Sequence, residues 1–432
     1  MTSNHVAIGS ERAGTTPTRL GSSWWGLTRF TGPGVVVAIG YLDPGNWATD
    51  LAAGSRHGFS LLAVVLFASA VGAFLQALTV RLSLARGRDL ASLIRDIFPR
   101  PIALFLWLAI EVAIILTDLC ELVGGALAFH LLFGLPLIPG AILTGVIGLL
   151  ILLLPSRKGR THEVILGAMA IIVAACFAIK LSIARPDMAA VLMGYVPKAQ
   201  LITDPTQLYL ALGIIGATIM PHNIYLHSGL AQSRYAAFMA VGPRIANRML
   251  AIDSTIALCL AFLVNSAILI LAATLFSGSE TDSIEGAYGL LNPHDSAGTP
   301  IIASLFAIAL LAAGLSSTIT GAMAGQIVTE GFLRIRMSLW LRRFITRSIA
   351  LVPAVATFMI LGDQAIDDMM VVSQVGLSLA LPFVLFPMLI LISQRTNMGV
   401  LALKRRTLVL AWLLTSAITV LNVGMLTLPL LK

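Results

Sequence analysis

Runs of about 20 apolar residues, the length that crosses the hydrocarbon core of a bilayer, follow one another almost to the end of this chain. In that solvent every backbone polar group needs a partner inside the protein, so only helices and closed barrels span it. No alternation of apolar and polar residues recurs in ten-residue stretches between turns, which disfavours a barrel. Charged residues are 11% of the 432, against about a quarter in soluble domains, and an ordinary soluble enzyme is thereby excluded. The chain reads as an all-α polytopic membrane protein.

Eleven apolar runs lie between charged or Pro/Gly-rich breaks, near residues 31–54, 59–84, 102–133, 137–154, 163–184, 207–231, 248–276, 300–332, 344–361, 366–392 and 407–430. Lys and Arg accumulate in cytoplasmic loops, and here they alternate between successive connections. One side collects Arg12, Arg19 and Arg29, then Arg81 to Arg100, Arg157 to Arg160, Arg234 to Arg248, Arg334 to Arg347, and Arg395 to Arg406. Only Arg56, Lys180, Arg185, Lys198 and Lys432 remain for the other. This predicts a cytoplasmic N-terminus and an external C-terminus, so the net charge of +8 is a topology signal and no nucleic-acid partner is expected; short connections and the lack of any Asn-x-Ser/Thr acceptor fit a cytoplasmic (inner) membrane. External loops carry Glu280, Asp282, Glu285, Asp295, Asp363, Asp367 and Asp368, either a cation-concentrating entrance or plain solvated loops. Cys120, Cys176 and Cys259 lie in apolar runs without metal or redox spacing and read as packing residues. The first thirty residues lack the order of a cleavable signal.

Secondary transporters commonly contain two halves of inverted topology, with sites where a helix of each half breaks at mid-membrane. The first run breaks at Asp43-Pro44-Gly45-Asn46 and the sixth at Met220-Pro221-His222-Asn223. Aligned on their prolines, the two match at Pro and Asn and set a metal-capable side chain, Asp43 or Met220, at the same place. An offset of five runs makes the second copy cross in the opposite sense. Proline removes a backbone donor and clashes one turn back, which frees the carbonyls near Gly40 and Ala217. Two such carbonyls, the Asp43 carboxylate, the Asn46 amide and the Met220 thioether would together form a cation site, and a carboxylate buried in a membrane is expensive and usually functional.

On these residues the sequence resembles the Nramp family of proton-coupled divalent transition-metal transporters, whose hallmarks are Asp-Pro-Gly-Asn in span one and Met-Pro-His in span six. The likeness runs from about residue 25 to the last span and includes Gly216 through Ser228. It implies a leucine-transporter-type fold working by alternating access: a tail over 1–30, a first inverted repeat over 31–184, a second over 207–392, and an eleventh helix over 407–430. It also implies that Asp43, Asn46 and Met220, with the Gly40 and Ala217 carbonyls, bind the ion, and that Gln374 approaches it in some states. Position 40 is often alanine among relatives; a carbonyl donor survives the change to glycine. The substrates implied are Mn2+, Fe2+ and Cd2+ with protons, and no cofactor. Thioether sulfur favours these softer ions over Mg2+ and Ca2+, which prefer oxygen shells.

Glu111, Asp118 and Glu121, spaced by seven and three, share one face of the third span. The resemblance assigns Asp118 and Glu121 to a proton route toward the cytoplasm, with Arg343, and Arg342 beside it, as counter-charges. Burial favours the protonated carboxyl and a neighbouring arginine the ionised one, so such a group can load and release a proton. Glu111 is a route member or a structural partner for a basic residue. His222 and His227 are relay candidates, with polar packing the alternative for His227. Gln76, Asn265 and Asn223 read as gate or interhelical hydrogen-bonding residues. An organic-solute carrier of the same fold is disfavoured because Asp43 would oppose a substrate carboxylate. A membrane hydrolase is disfavoured because no His-Glu-x-x-His, Gly-x-Ser-x-Gly or phosphate-loop motif occurs.

Overall fold

Prolines 44 and 221 each divide one membrane segment into two helices, and the other helices wall in those two divisions. In the computed structural model, which describes residues 33–153, 160–276, 284–286, 299–360 and 366–427, the principal elements are helical. They are α1 Pro33–Gly40, α2 Pro44–His57, α3 Leu62–Arg86, α4 Leu90–Ile97, α5 Arg100–Phe133, α6 Leu137–Leu153, α7 Arg160–Ala184, α8 Met188–Gly194, α9 Pro205–Ile219, α10 Pro221–Ser233, α11 Pro243–Leu275, α12 Thr299–Leu333, α13 Leu339–Ile360, α14 Ile366–Ser393 and α15 Arg405–Thr427. The expected N-terminal tail, Arg157 and Lys158, and the acidic Glu280, Asp282, Asp295 and Asp363 lie outside the described residues.

Each break has a local cause. The amides of Tyr41 and Leu42 turn back onto the Ala38 and Ile39 carbonyls at 3.1 and 3.0 Å, closing the end of α1 tightly. Asp43 then caps α2, its side chain accepting from the Asn46 amide, with Pro44 at the first helical position, where the missing N–H costs nothing. In the second segment Met220 ends α9 with φ +38° and ψ 106°, a region that side chains other than glycine's rarely occupy. Its amide still reaches the Gly216 carbonyl at 3.2 Å, and Pro221 opens α10. The outer end of α9 is capped by Asp204, exposed, whose carboxyl is held below the usual range by hydrogen bonds from the Thr206 hydroxyl and amide.

The broken segments cross so that α1 packs on α10 and α2 on α9, the reciprocal arrangement of two inverted copies. Helix α5 packs on α6, α12, α13 and α14, while α11 lies along α1, α2 and α3, and α9 lies along α14. With 34 residues, α5 is about 51 Å long and overruns a hydrocarbon core of about 30 Å. Large apolar side chains such as Leu413, Val420, Phe105 and Leu108 are exposed on the perimeter, as a lipid-facing surface requires.

Among the described residues nine helices are long and apolar enough to cross a membrane, against eleven expected runs. One difference arises because Pro44–Arg86 continues through a short 3-10 turn, Gly58–Leu61, and counts as a single stretch. The other arises because Leu137–Ile151 is short. The charge reading also needs correction at four positions. Arg342, Arg343 and Arg347 are buried at 6, 1 and 5% exposure, and Lys180 is buried with Nζ 4.2 Å above the Phe306 ring, so these four are not loop charges. Cys259, expected to pack, is exposed on α11. Of the acidic residues at the opposite face, Asp368 lies 3.7 Å from Arg56, and Asp367 accepts from the Ile284 amide at 3.1 Å.

The α9–α14 contact depends on one missing side chain. A Cβ at Gly216 would stand 2.0 Å from the Gln374 carbonyl oxygen and 2.6 Å from the Ser378 amide nitrogen. Gly216→Ala should therefore cost about 1–3 kcal/mol by overpacking and lower the thermal unfolding midpoint in detergent; an unchanged midpoint would show that the two backbones do not approach this closely.

Candidate cation site

The Asp43 carboxylate is fully buried, and its two oxygens differ in their partners. Oδ1 accepts from the Asn46 amide at 3.0 Å and from Asn46 Nδ2 at 2.8 Å, whereas Oδ2 has no hydrogen-bond partner. Asn46 also donates from Nδ2 to the Tyr41 carbonyl at 2.9 Å. Both donations use the nitrogen, so the Asn46 side-chain oxygen is the end left for a cation. The second break repeats this logic with other atoms: Asn223, three residues after Met220 as Asn46 is three after Asp43, donates from Nδ2 to the Met220 sulfur at 3.4 Å. Asn223 Oδ1, like Asp43 Oδ2, is buried without a partner.

Side chains from three segments converge on this pair. The space that a Cβ at Gly40 would fill lies 2.2 Å from Asn223 Nδ2, which puts the second break's amide on the end of α1. The same space at Gly45 lies 2.0 Å from Gln374 Nε2 and 3.1 Å from Asp43 Oδ2, so the Gln374 carboxamide of α14 lies over the first break beside the carboxylate. Gln374 Oε1 is a third buried oxygen with no donor. The carbonyls of Gly40 and Ala217 face prolines four residues on, at 44 and 221, and lose the amide that would have paired them in a continuous helix. Buried acceptors without donors carry a desolvation penalty, and one cation can relieve it for several oxygens together. Among the described residues no three His, Cys, Asp or Glu side chains come together; the donor set here is a single carboxylate with amides, carbonyls and a thioether. Two grooves of about 600 and 410 Å3 are lined by apolar residues such as Phe383, Phe386, Phe67 and Ile202 and contain none of these groups.

A separate charged layer runs beside the site. Arg343 of α13 pairs with both Asp118 and Glu121 of α5, and Arg342 pairs with Glu111. Arg347 lies 3.3 Å from Glu121 and donates to Thr318 at 2.6 Å, and Thr329 joins Arg342 at 2.9 Å to Glu111 at 3.3 Å. His222 Nδ1 is 3.5 Å from the Thr117 hydroxyl of α5. His227 is held at both ring nitrogens, by Gln76 at 2.9 Å and Ser254 at 3.1 Å, and Gln76 continues to the Tyr41 hydroxyl at 3.3 Å. Asn265 is buried on α11 with its side-chain oxygen unpartnered.

Four participants were not singled out from the motifs. Arg347 had a signal, since it lies one turn from Arg343 on the same helix face. Asp50 had one too, seven residues after Asp43 and buried at 2% with Oδ2 unpartnered. Cys120 and Ser373 had none, because they meet only across the α5–α14 contact, where Cys120 Sγ lies 2.7 Å from Ser373 Oγ and 3.1 Å from Gln374 Nε2.

Two crossed, broken helices with unpaired oxygens at the breaks, enclosed by a helical membrane scaffold, define a secondary-transporter class. The family model for natural resistance-associated macrophage protein-like chains matches residues 34–428. A divalent metal cation transporter of Xylella fastidiosa is 44% identical over 98% of this chain and 90% of its own length. The manganese transporter of Eremococcus coleocola superposes with a TM-score of 0.84 at 35% identity, over 93% of this chain and 87% of that one. MhsT, solved in complex with L-phenylalanine, shares the fold at a TM-score of 0.64 and 16% identity, covering 91% of this chain and 98% of that one. The chain belongs to the Nramp family, and its architecture is the leucine-transporter-type fold.

The charged layer makes a stability prediction. Arg343→Ala leaves Asp118 buried without its arginine, and removing one partner of a buried pair costs about 3–5 kcal/mol. Arg347→Ala should lower the unfolding midpoint less, because Glu121 keeps Arg343; equal losses in thermal unfolding would show that Arg343 is not the centre of the layer.

Proposed function

We propose that this protein imports divalent transition-metal ions, Mn2+ foremost and Fe2+ and Cd2+ with it, across a cytoplasmic membrane by proton-coupled alternating access. The observation that supports the reading is the pair of breaks: Asp43 Oδ2 is buried without a partner, the Asn46 amide spends its nitrogen on Asp43 Oδ1, and the Asn223 amide that donates to the Met220 sulfur lies at the end of α1; in this reading Asp43, Asn46, Met220 and the carbonyls of Gly40 and Ala217 hold the ion. That donor set mixes oxygen with one soft sulfur, which suits Mn2+, Fe2+ and Cd2+ better than Mg2+ or Ca2+. The names of the Xylella and Eremococcus relatives, a divalent metal cation transporter and a manganese transporter, support the same substrate class.

In this reading residues 31–184 and 207–392 are the inverted repeats, 407–430 lies outside them, and the N-terminus is cytoplasmic. The site is closed in the described conformation, since Asp43, Met220 and Gln374 are all buried. Exchange with either side therefore requires the broken helices to move relative to α5 and α14. Asp118 and Glu121 carry the proton, with Arg343 as their shared counter-charge. His222 stands between the break and α5, adjoining this route, while Gln76, His227 and Ser254 form a hydrogen-bonded strut between α3, α10 and α11.

Uptake into proteoliposomes tests the reading. Wild-type protein should accumulate Mn2+ and Cd2+, faster with an inward proton gradient, and Asp43→Ala should abolish uptake; folded wild-type protein that carries none of these ions would overturn it. Met220→Ala should keep Mn2+ uptake while admitting Ca2+ or Mg2+, and unchanged discrimination would remove sulfur from the explanation. Asp118→Asn should leave metal entry measurable and weaken proton co-movement, followed with a pH dye inside the vesicles; intact proton flux would remove Asp118 from the route.

A further inference from the structure

Met220 interrupts the second segment with a backbone that disfavours a side chain. Its φ of +38° and ψ of 106° lie where residues other than glycine are strained, and such an angle persists only where the surroundings hold it. Asn223 holds it at both ends of the residue. The Asn223 backbone amide donates to the Met220 carbonyl at 3.1 Å, and Asn223 Nδ2 donates to the Met220 sulfur at 3.4 Å. A thioether has lone pairs and no proton, so only the nitrogen end of the carboxamide can bond it. Methionine is otherwise a long, flexible side chain, and this one is fixed at its sulfur.

The first break uses the same device with other atoms. Asn46 brings its backbone amide to Asp43 Oδ1 at 3.0 Å and its Nδ2 to the same oxygen at 2.8 Å. In each repeat, then, the asparagine three residues on from the break holds the metal-capable side chain by its own side-chain nitrogen. The second hold needs room on the facing helix. At Gly40, the last residue of α1, an added Cβ would stand 2.2 Å from Asn223 Nδ2 and 2.9 Å from both its Cγ and its Oδ1. The Asn223 amide thus occupies the space that an alanine at position 40 would take. What such an alanine meets is the end of a side chain and not backbone, so it would displace the amide before it disturbed the packing of α1 on α10.

We propose that Asn223 is a positioning residue for the Met220 sulfur and that the missing side chain at Gly40 gives it room to act, so that the thioether is held at the end of α1 before an ion arrives. This rests on the reading of Met220 as a ligand. Ordering a ligand in advance lowers the entropic cost of binding, and ordering a sulfur matters most to the softer ion, Cd2+ more than Mn2+.

The test measures Mn2+ and Cd2+ side by side, by calorimetric titration of the purified full chain and by KM for uptake in proteoliposomes. Asn223→Ala should weaken Cd2+ by about tenfold and Mn2+ by about twofold, lowering the preference for Cd2+ by about fivefold. Gly40→Ala should shift the preference in the same direction, and the double variant Gly40→Ala/Asn223→Ala should be no weaker than Asn223→Ala, because the amide that the methyl displaces is gone. Asn223→Ala should also add nothing to Met220→Ala, since the asparagine acts only through the sulfur. X-ray absorption by protein loaded with Cd2+ gives a direct signature, a sulfur neighbour that is present in the wild type and weakened in Asn223→Ala. Equal losses for the two ions, a further loss on top of Met220→Ala, or an undiminished sulfur signal in Asn223→Ala would each overturn the proposal. If Asn223→Ala does not fold, Gly40→Ala decides, and an unchanged preference there overturns it. Wild-type protein that binds Cd2+ with no sulfur neighbour would instead remove Met220 from the site, and protein that neither binds nor carries either ion would remove the transport reading itself.

Discussion

A proline inside a membrane helix leaves a carbonyl without its amide, and in hydrocarbon no water replaces it. Pro44 and Pro221 create this deficit twice, at the same register in two segments that cross. The structure meets it by using each break as a helix boundary. Asp43 serves as the cap of α2 with one carboxylate oxygen and leaves the other unpaired, while Met220 takes a strained backbone angle and offers no cap at all. Everything that surrounds the site follows from enclosing these two irregularities in protein. Gly216 lets α14 come close enough to bring Gln374 over the first break, and α5 closes the remaining side.

The charged layer obeys the same constraint by another route. Charges are costly inside a bilayer unless paired, and α5 and α13 pair them in ascending order: Glu111 with Arg342, Asp118 with Arg343, Glu121 with Arg343 and Arg347. That order requires the two helices to run in the same direction, as the third and ninth apolar runs of an alternating topology do. Cys120 lies between these carboxylates in sequence yet faces α14, so a single helix carries the charged layer on one face and contacts Ser373 and Gln374 on another.

The breaks, the Asp43 and Met220 candidates and the three carboxylates of α5 were legible because each rests on local chemistry: a missing amide, a metal-capable atom, a periodicity of three to seven residues. Arg343 as a counter-charge came from resemblance, and the structure pairs it with two carboxylates more than 200 residues away. The basic-residue pattern misled at Arg342, Arg343, Arg347 and Lys180, since charge counting treats a buried ion pair and a solvated loop alike. Cys120 was read as packing because a thiol in an apolar run has no local signature; its partner Gln374 is 254 residues further on.

From the sequence alone come the membrane class, the positions of the two interruptions and the atoms able to hold a soft divalent ion, since these depend on the composition of single segments and on proline's covalent structure. Only the tertiary structure decides which oxygens stay unpaired, which arginine meets which carboxylate, and which way the Gln374 amide turns. Those outcomes depend on helix faces brought together across hundreds of residues, where packing distance and the count of donors and acceptors leave one arrangement.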